Sequence, residues 1–240
     1  MEVYCYGLKF QHTDKRSLTL LFAGCNFKCP YCYNAQLLDF KKDFLVSIRD
    51  IKNEIDLNYE DIDGIIFGGG EPSLQRQALK TLCRYARSKN LKTILLTNGS
   101  SPQTLKSLIM ERLLSKVVFD IKSPFNEHFE KITRSRTYFK DTKEIISDIK
   151  ESLNLVRNSY LVETEMKTVV VPNLIYRRED LLKIAEIVNN TSKNWTLARF
   201  IPHNTAEKRY EQIKSPSLKF MNHIKKLCMA KYPSLNINIL

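Results

Sequence analysis

The chain has 240 residues, 43% of them apolar and 27% charged, enough to bury a full core and too few for several domains. Its 7 glycines and 8 prolines exclude collagen-like and low-complexity sequence, and no stretch approaches the roughly 18 apolar residues of a membrane helix. The net charge of +12, weighted toward residues 121–240 with 21 basic against 13 acidic side chains, permits a polyanionic partner without selecting one.

Residues 1–9 carry a glutamate, tyrosines and a cysteine instead of a basic segment followed by an apolar run, so a single cytoplasmic domain over residues 1–240 is expected. After this start, residues 17–23 (SLTLLFA) read as a buried strand entering Gly24. Residues 44–57 place Leu45, Ile48, Ile51 and Ile55 at helical spacing, and residues 62–67 form a second strand closed by Gly68, Gly69 and Gly70. A helix over about 73–89, a strand over 91–97 ended by Asn98 and Gly99, a helix over 102–114 and a strand over 116–121 follow. Residues 141–156 are helical, 163–171 a strand stopped by Pro172, 178–188 helical, and 195–201 a strand stopped by Pro202. A basic helix over about 216–232 and a short strand over 235–239 read as a C-terminal extension of about residues 205–240, outside a core of about 17–204.

Six strand–helix units predict an α/β fold with a parallel sheet under helices, closed, partly closed or doubly wound. In each form the site lies at the C-terminal ends of the strands. The chemically marked residues fall there: Cys25, Cys29 and Cys32, then Glu71, Thr97, Asp120 and His203.

Three of the six cysteines crowd into eight positions, at intervals of four and three, which suits one loop around a metal group better than a disulfide framework. Cys5, Cys83 and Cys228 are scattered and read as buried thiols. Three soft ligands favour iron with sulfur, or zinc completed by a histidine or a fourth cysteine. A c-type haem drops out because Tyr33, not histidine, follows Cys32. A redox pair of Cys29 and Cys32 leaves Cys25 without a role. Three ligands for a four-iron cluster leave one iron open to bind something else.

The segment CNFKCPYC resembles the Cys-x3-Cys-x-aromatic-Cys loop of the radical S-adenosylmethionine (SAM) enzymes. The resemblance implies that Cys25, Cys29 and Cys32 hold a 4Fe-4S cluster whose open iron binds SAM. Reductive cleavage would then give methionine and a 5'-deoxyadenosyl radical. It also implies a partial (β/α)6 barrel of the TIM-like type, matching the six units. Tyr31 is the aromatic residue of that loop and joins the cofactor set.

As bare sequence, GGGEP is a tight turn opening a helix. It is similar to the family's Gly-Gly-Glu element, which implies that Gly69, Gly70 and Glu71 meet the methionine amino group. Thr97 and Asn98 of TNG, and Asp120 and Lys122 of DIK, resemble stretches beside the cofactor in glycyl-radical activating enzymes. There the acid helps to hold a monovalent cation and the lysine pairs with the SAM carboxylate. Leu96 stands where those relatives have an acid, which sets the cation in question. Lys167 before VVVP and His203 in PHN are similar to their remaining cofactor residues.

The order CNFKCPYCYN, GGGEPSLQ, TNG, FDIKSP, MKTVVVPN, ARFIPHN most resembles activating proteins of anaerobic ribonucleoside-triphosphate reductases, in the branch of pyruvate formate-lyase activating enzyme. That implies a glycyl-radical enzyme as partner and a low-potential electron donor such as flavodoxin or ferredoxin. Three alternatives stand beside it. One is a small-molecule enzyme like 7-carboxy-7-deazaguanine synthase. Another is tRNA modification, suggested by Lys219, Lys225, Lys226 and Lys231, and the third a zinc-bearing nucleic-acid adaptor.

Overall fold

The computed structural model describes residues 1–12 and 16–240, with the backbone alone for residues 9–12. All six expected strands form: β2 (Arg16–Phe22), β4 (Gly64–Gly69), β5 (Lys92–Thr97), β6 (Lys116–Asp120), β7 (Glu163–Val170) and β8 (Asn194–Arg199). They pair in parallel in that order, and β9 (Asn236–Ile239) adds to β8 in the same direction. The tail strand is therefore a seventh parallel member of the sheet, not an appendage beside it.

Two elements at the other edge were not foreseen. β1 (Glu2–His12) pairs antiparallel with β2, and β3 (Leu45–Ser47) antiparallel with β1. The sheet order β3-β1-β2-β4-β5-β6-β7-β8-β9 leaves β3 and β9 as separate edges, so the ring stays open.

Helices connect the strands: α1 (Ile48–Asn58), α2 (Arg76–Ser88), α3 (Pro102–Met110), α4 (His128–Thr133), α5 (Thr142–Arg157), α6 (Arg178–Asn189) and α7 (Leu218–Lys231). α1 starts later than its apolar spacing suggests because the Ser47 side chain accepts from Arg49 N and caps it. α5 opens on a reciprocal capping box between Asp141 and Glu144. α3 stops at Met110, four residues early, and Arg112 takes a left-handed φ of +52°.

Along β7, buried Met166, Thr168 and Val170 alternate with half-buried Glu165, Lys167 and Val169. The first set packs under the helices, and the second faces the hollow of the curved sheet. Register sets Lys167 beside Asp120 on that hollow face. Among the described residues, no helix is long and apolar enough to cross a membrane.

Candidate active site at the strand ends

The cysteine loop leaves β2 at Gly24, whose φ of +87° and contact with the Phe40 ring exclude a side chain. Backbone bonds then fix its course. Gly24 N and Cys25 N donate to Leu37 O and Leu38 O at 2.8 and 3.0 Å, and Lys28 N donates to Thr133 O at 2.9 Å. From the far side of the barrel, Ala206 N and Glu207 N donate to Cys32 O and Pro30 O at 3.0 and 2.9 Å. Arg134 and Arg209 hold the Glu207 carboxylate, so the chain after β8 straps the loop down.

Cys29 is buried and Cys25 and Cys32 half-buried. Burial pushes all three thiols up, Cys29 to about 12, with Glu71 adding to the effect on Cys25. Such thiols ionise only beside a strongly cationic group, as thiolate ligands of iron or zinc do. Among the described residues, no three His, Cys, Asp or Glu side chains gather where one ion could sit. A cluster takes each thiolate on a different iron and asks for no such convergence.

The strand-end glycines form a close-fitting cradle. Gly70 N donates to Phe22 O and Glu71 N to Gly24 O, both at 2.8 Å. A Cβ on Gly70 would stand 2.3 Å from Gly24 O, and Gly69 has a φ of +102°. Only glycines let the two loops touch here.

Glu71 differs from expectation. Its carboxylate, 1% exposed, accepts from Ser73 N, Ser73 Oγ and Thr97 Oγ1 at 3.1, 2.6 and 2.8 Å, and from Asn98 N at 2.6 Å. Burial raises its pKa and these bonds oppose the rise. The acid clamps the β4 loop to the β5 loop, so its side chain is committed to the protein instead of reaching for a ligand.

Asn98 extends that clamp. Its Nδ2 donates to Asn26 Oδ1 at 3.0 Å, Asn26 Nδ2 donates to Ser100 Oγ at 2.8 Å, and Ser100 N returns to Asn98 Oδ1 at 2.9 Å. Asn34 Nδ2 reaches Gly69 O at 3.1 Å. Gln75 bonds both backbone atoms of Tyr4 and also Ala23 O. Asn26, Ser73, Gln75 and Ser100 were not singled out from sequence, where polar residues beside a glycine turn look like any loop.

Asp120 and Lys122 form an ion pair of 2.6 Å through Oδ2, while Asp120 Oδ1 is buried with no hydrogen-bond partner among the described residues. Burial opposes the Lys122 charge, but Asp120, Tyr31 and Cys29 outweigh it and hold the ammonium well above its usual range. Tyr31 is buried within the influence of the same groups. The Lys167 side chain, half-buried on the hollow face, forms no hydrogen bond or ion pair among the described residues and acts on Glu165 through its charge. The structure thus brings Tyr31, Asp120, Lys122 and Lys167 to the cysteine loop and the hollow beneath it.

His203 departs from this set. It lies exposed in the turn after β8 and acts electrostatically on Glu211. Position at a strand end did not carry its side chain inward.

A raised-pKa thiol trio, an orphaned buried carboxylate oxygen and a backbone cradle together fit an iron–sulfur group with a polar organic ligand. Residues 19–169 match the family model of the radical SAM superfamily. The chain belongs to that superfamily, and its sheet is the superfamily's partial TIM barrel. A candidate glycyl-radical enzyme activating enzyme of Methanocaldococcus jannaschii is 30% identical over 206 residues, covering 85% of this chain and 81% of that one, which puts the chain in the activating-enzyme family. The pyruvate formate-lyase-activating enzyme of Streptococcus mutans is 29% identical over 76% of this chain and 69% of its own. Among solved structures, a radical SAM methyltransferase from Sphaerobacter thermophilus superposes with a TM-score of 0.72 at 13% identity, over 97% of this chain and 68% of that one.

Proposed function

We propose that the chain cleaves SAM reductively and directs the resulting radical to a glycine of a partner glycyl-radical enzyme, the anaerobic ribonucleoside-triphosphate reductase. The family implies a 4Fe-4S cluster and SAM, and together these supply the one-electron cleavage of a sulfonium bond. Cys25, Cys29 and Cys32 would hold the cluster as thiolates. The free Oδ1 of Asp120 would accept from the SAM amino group or from water around a monovalent cation. Lys122 and Lys167 offer positive charge toward a carboxylate, and Gly69 and Gly70 let it approach the backbone. Glu71, Asn98 and Asn26 keep the three loops in register, which is how a protein positions chemistry that its cofactor carries.

The single observation that carries a glycyl-radical partner is the 30% identity spread over 85% of the chain. An open sheet supports it, because a protein segment must enter the hollow. After anaerobic reconstitution, mixing with the reductase and SAM should give the doublet resonance of a glycyl radical. SAM cleavage without that signal at any reductase concentration would overturn this target.

A second reading has its own support. The 7-carboxy-7-deazaguanine synthase of M. jannaschii is 26% identical over 91% of this chain. Cleavage that runs at full rate without any protein partner would favour such a small-molecule reaction.

A further inference from the structure

We infer that Arg134 and Glu207 are positioning residues for the cysteine loop: their ion pair is a latch that ties together the two segments gripping the loop around Cys29 and Cys32, and so holds these two thiols in place for the cluster. The inference rests on the ligand assignment of the proposed function and adds the residues that set the ligands' geometry. The two segments lie far apart in the chain and take the loop at different points. From α4, Thr133 O accepts from Lys28 N at 2.9 Å and lies 3.8 Å from Cys29 Sγ. From the chain after β8, Ala206 N and Glu207 N donate to Cys32 O and Pro30 O at 3.0 and 2.9 Å. Cys25 bonds elsewhere, its N–H donating to Leu38 O at 3.0 Å and its Sγ accepting from Phe27 N at 3.4 Å.

The ring closes one residue beyond the α4 grip. Arg134 directly follows Thr133, and its guanidinium pairs with Oε1 of Glu207, whose own N–H is one of the two donors from the strap. Arg209 takes the other oxygen, Oε2, at 2.6 Å. Around this acid the strap is folded on itself. Thr205 Oγ1 and Tyr210 N donate to Glu207 O at 2.8 and 3.0 Å, and Thr205 N donates to Glu211 Oε1 at 3.2 Å. Thr205 and Tyr210 are buried. A carboxylate mounted on so fixed a segment meets Arg134 with little further loss of chain freedom.

The backbone at Arg134 points to the side chain, not the turn, as what the position serves. Its φ of 46° and ψ of 49° lie in the left-handed region, where glycine closes a helix with least strain. The backbone bond made there, Arg134 N to Glu130 O, needs no side chain, and glycine would form it equally. What glycine lacks is the guanidinium. The pair is partly open to solvent, with 45% and 28% of the two side chains exposed, so it adds little to the stability of the whole fold and acts on the loop it spans.

The test compares wild type with Arg134→Gly, Arg134→Lys and Glu207→Gln. In the reduced apo protein, kept free of air, the rate at which iodoacetamide alkylates each cysteine is read by peptide mass spectrometry. Arg134→Gly removes the guanidinium and relieves the backbone, so its denaturant midpoint should equal or exceed that of wild type while Cys29 and Cys32 react about fivefold faster. Cys25 and the buried Cys83 should keep their wild-type rates. Glu207→Gln should speed the same two thiols at least as much, because it also releases Arg209, and Arg134→Lys should restore most of the protection. After reconstitution, iron should pass to the chelator ferrozine about fivefold faster from Arg134→Gly and Glu207→Gln than from wild type. Unchanged Cys29 and Cys32 rates in Arg134→Gly would overturn the latch, even with an effect in Glu207→Gln. Rates that rise equally at all six cysteines would also overturn it, as a general loss of stability. Failure of the wild-type protein to take up iron would overturn the ligand assignment and with it the purpose of the latch, whereas the thiol rates alone decide whether the latch exists.

Discussion

The Glu71 carboxylate takes four hydrogen bonds from donors on two loops, and an amide in its place would set its own N–H groups against some of them. Glu71→Gln should therefore lower the unfolding free energy of the apo protein by about 2–3 kcal/mol, read as a shift in denaturant midpoint. An unchanged midpoint would show that the clamp is dispensable. Replacing Cys25, Cys29 or Cys32 by Ala should abolish SAM cleavage and reduce bound iron. Cys83, fully buried in α2, offers the contrast. Cys83→Ala should cost only ~1 kcal/mol of stability and leave cleavage intact, and equal loss of cleavage would contradict the ligand assignment. At this scale the cysteines and glycines were legible because their chemistry depends on spacing and missing side chains. The role of Glu71 was not, because four donors reach it from residues that only the fold brings together.

Between β6 and β7, Lys116 bonds Glu163 and Glu165 at 2.9 and 2.7 Å, and Thr196 Oγ1 donates to Glu165 at 2.6 Å. Burial opposes the Glu165 charge, yet the bonds from Lys116 and Thr196 outweigh it and hold the carboxyl below its usual range. A carboxyl depressed in the folded state contributes stability above its unfolded value, near pH 4.3, and loses it as the pH falls through the folded value. Wild-type stability should thus drop more steeply below about pH 4 than that of Glu165→Gln, by roughly 1 kcal/mol after solvent screening. Parallel acid titrations of unfolding would check this, and coincident slopes would refute it. The six inner strands were legible because short runs of branched and aromatic residues end at glycine, asparagine or proline, even where, as in β7, buried residues alternate with half-buried ones. β1 was missed although Val3 and Cys5 alternate as buried residues, since the register shift between Cys5 and Gly7 breaks the period. β3 was absorbed into the helix that it precedes, because Leu45 falls on the helical repeat of Ile48 and Ile51. β9 had a visible strand pattern, but nothing local says that it joins β8.

For the molecule as a whole, anaerobic reconstitution should bind about four irons per chain, and aerobic purification should leave little activity. Full activity after handling in air would count against a labile cluster. The same open architecture sets where Glu2 and Leu240 lie. β1 runs against β2, so Glu2 lies at the end of the sheet where Phe22 leads into the cysteine loop. β9 runs along β8, and Leu240 exchanges backbone bonds of 3.0 and 2.8 Å with Leu197 and Arg199 at the same end. A protein immobilised through a tag attached at Glu2 or Leu240 thus turns its strand-end face toward the support. On an electrode this shortens the path for incoming electrons while leaving a large partner no room to approach, so a tethered sample should cleave SAM yet fail to mark the reductase.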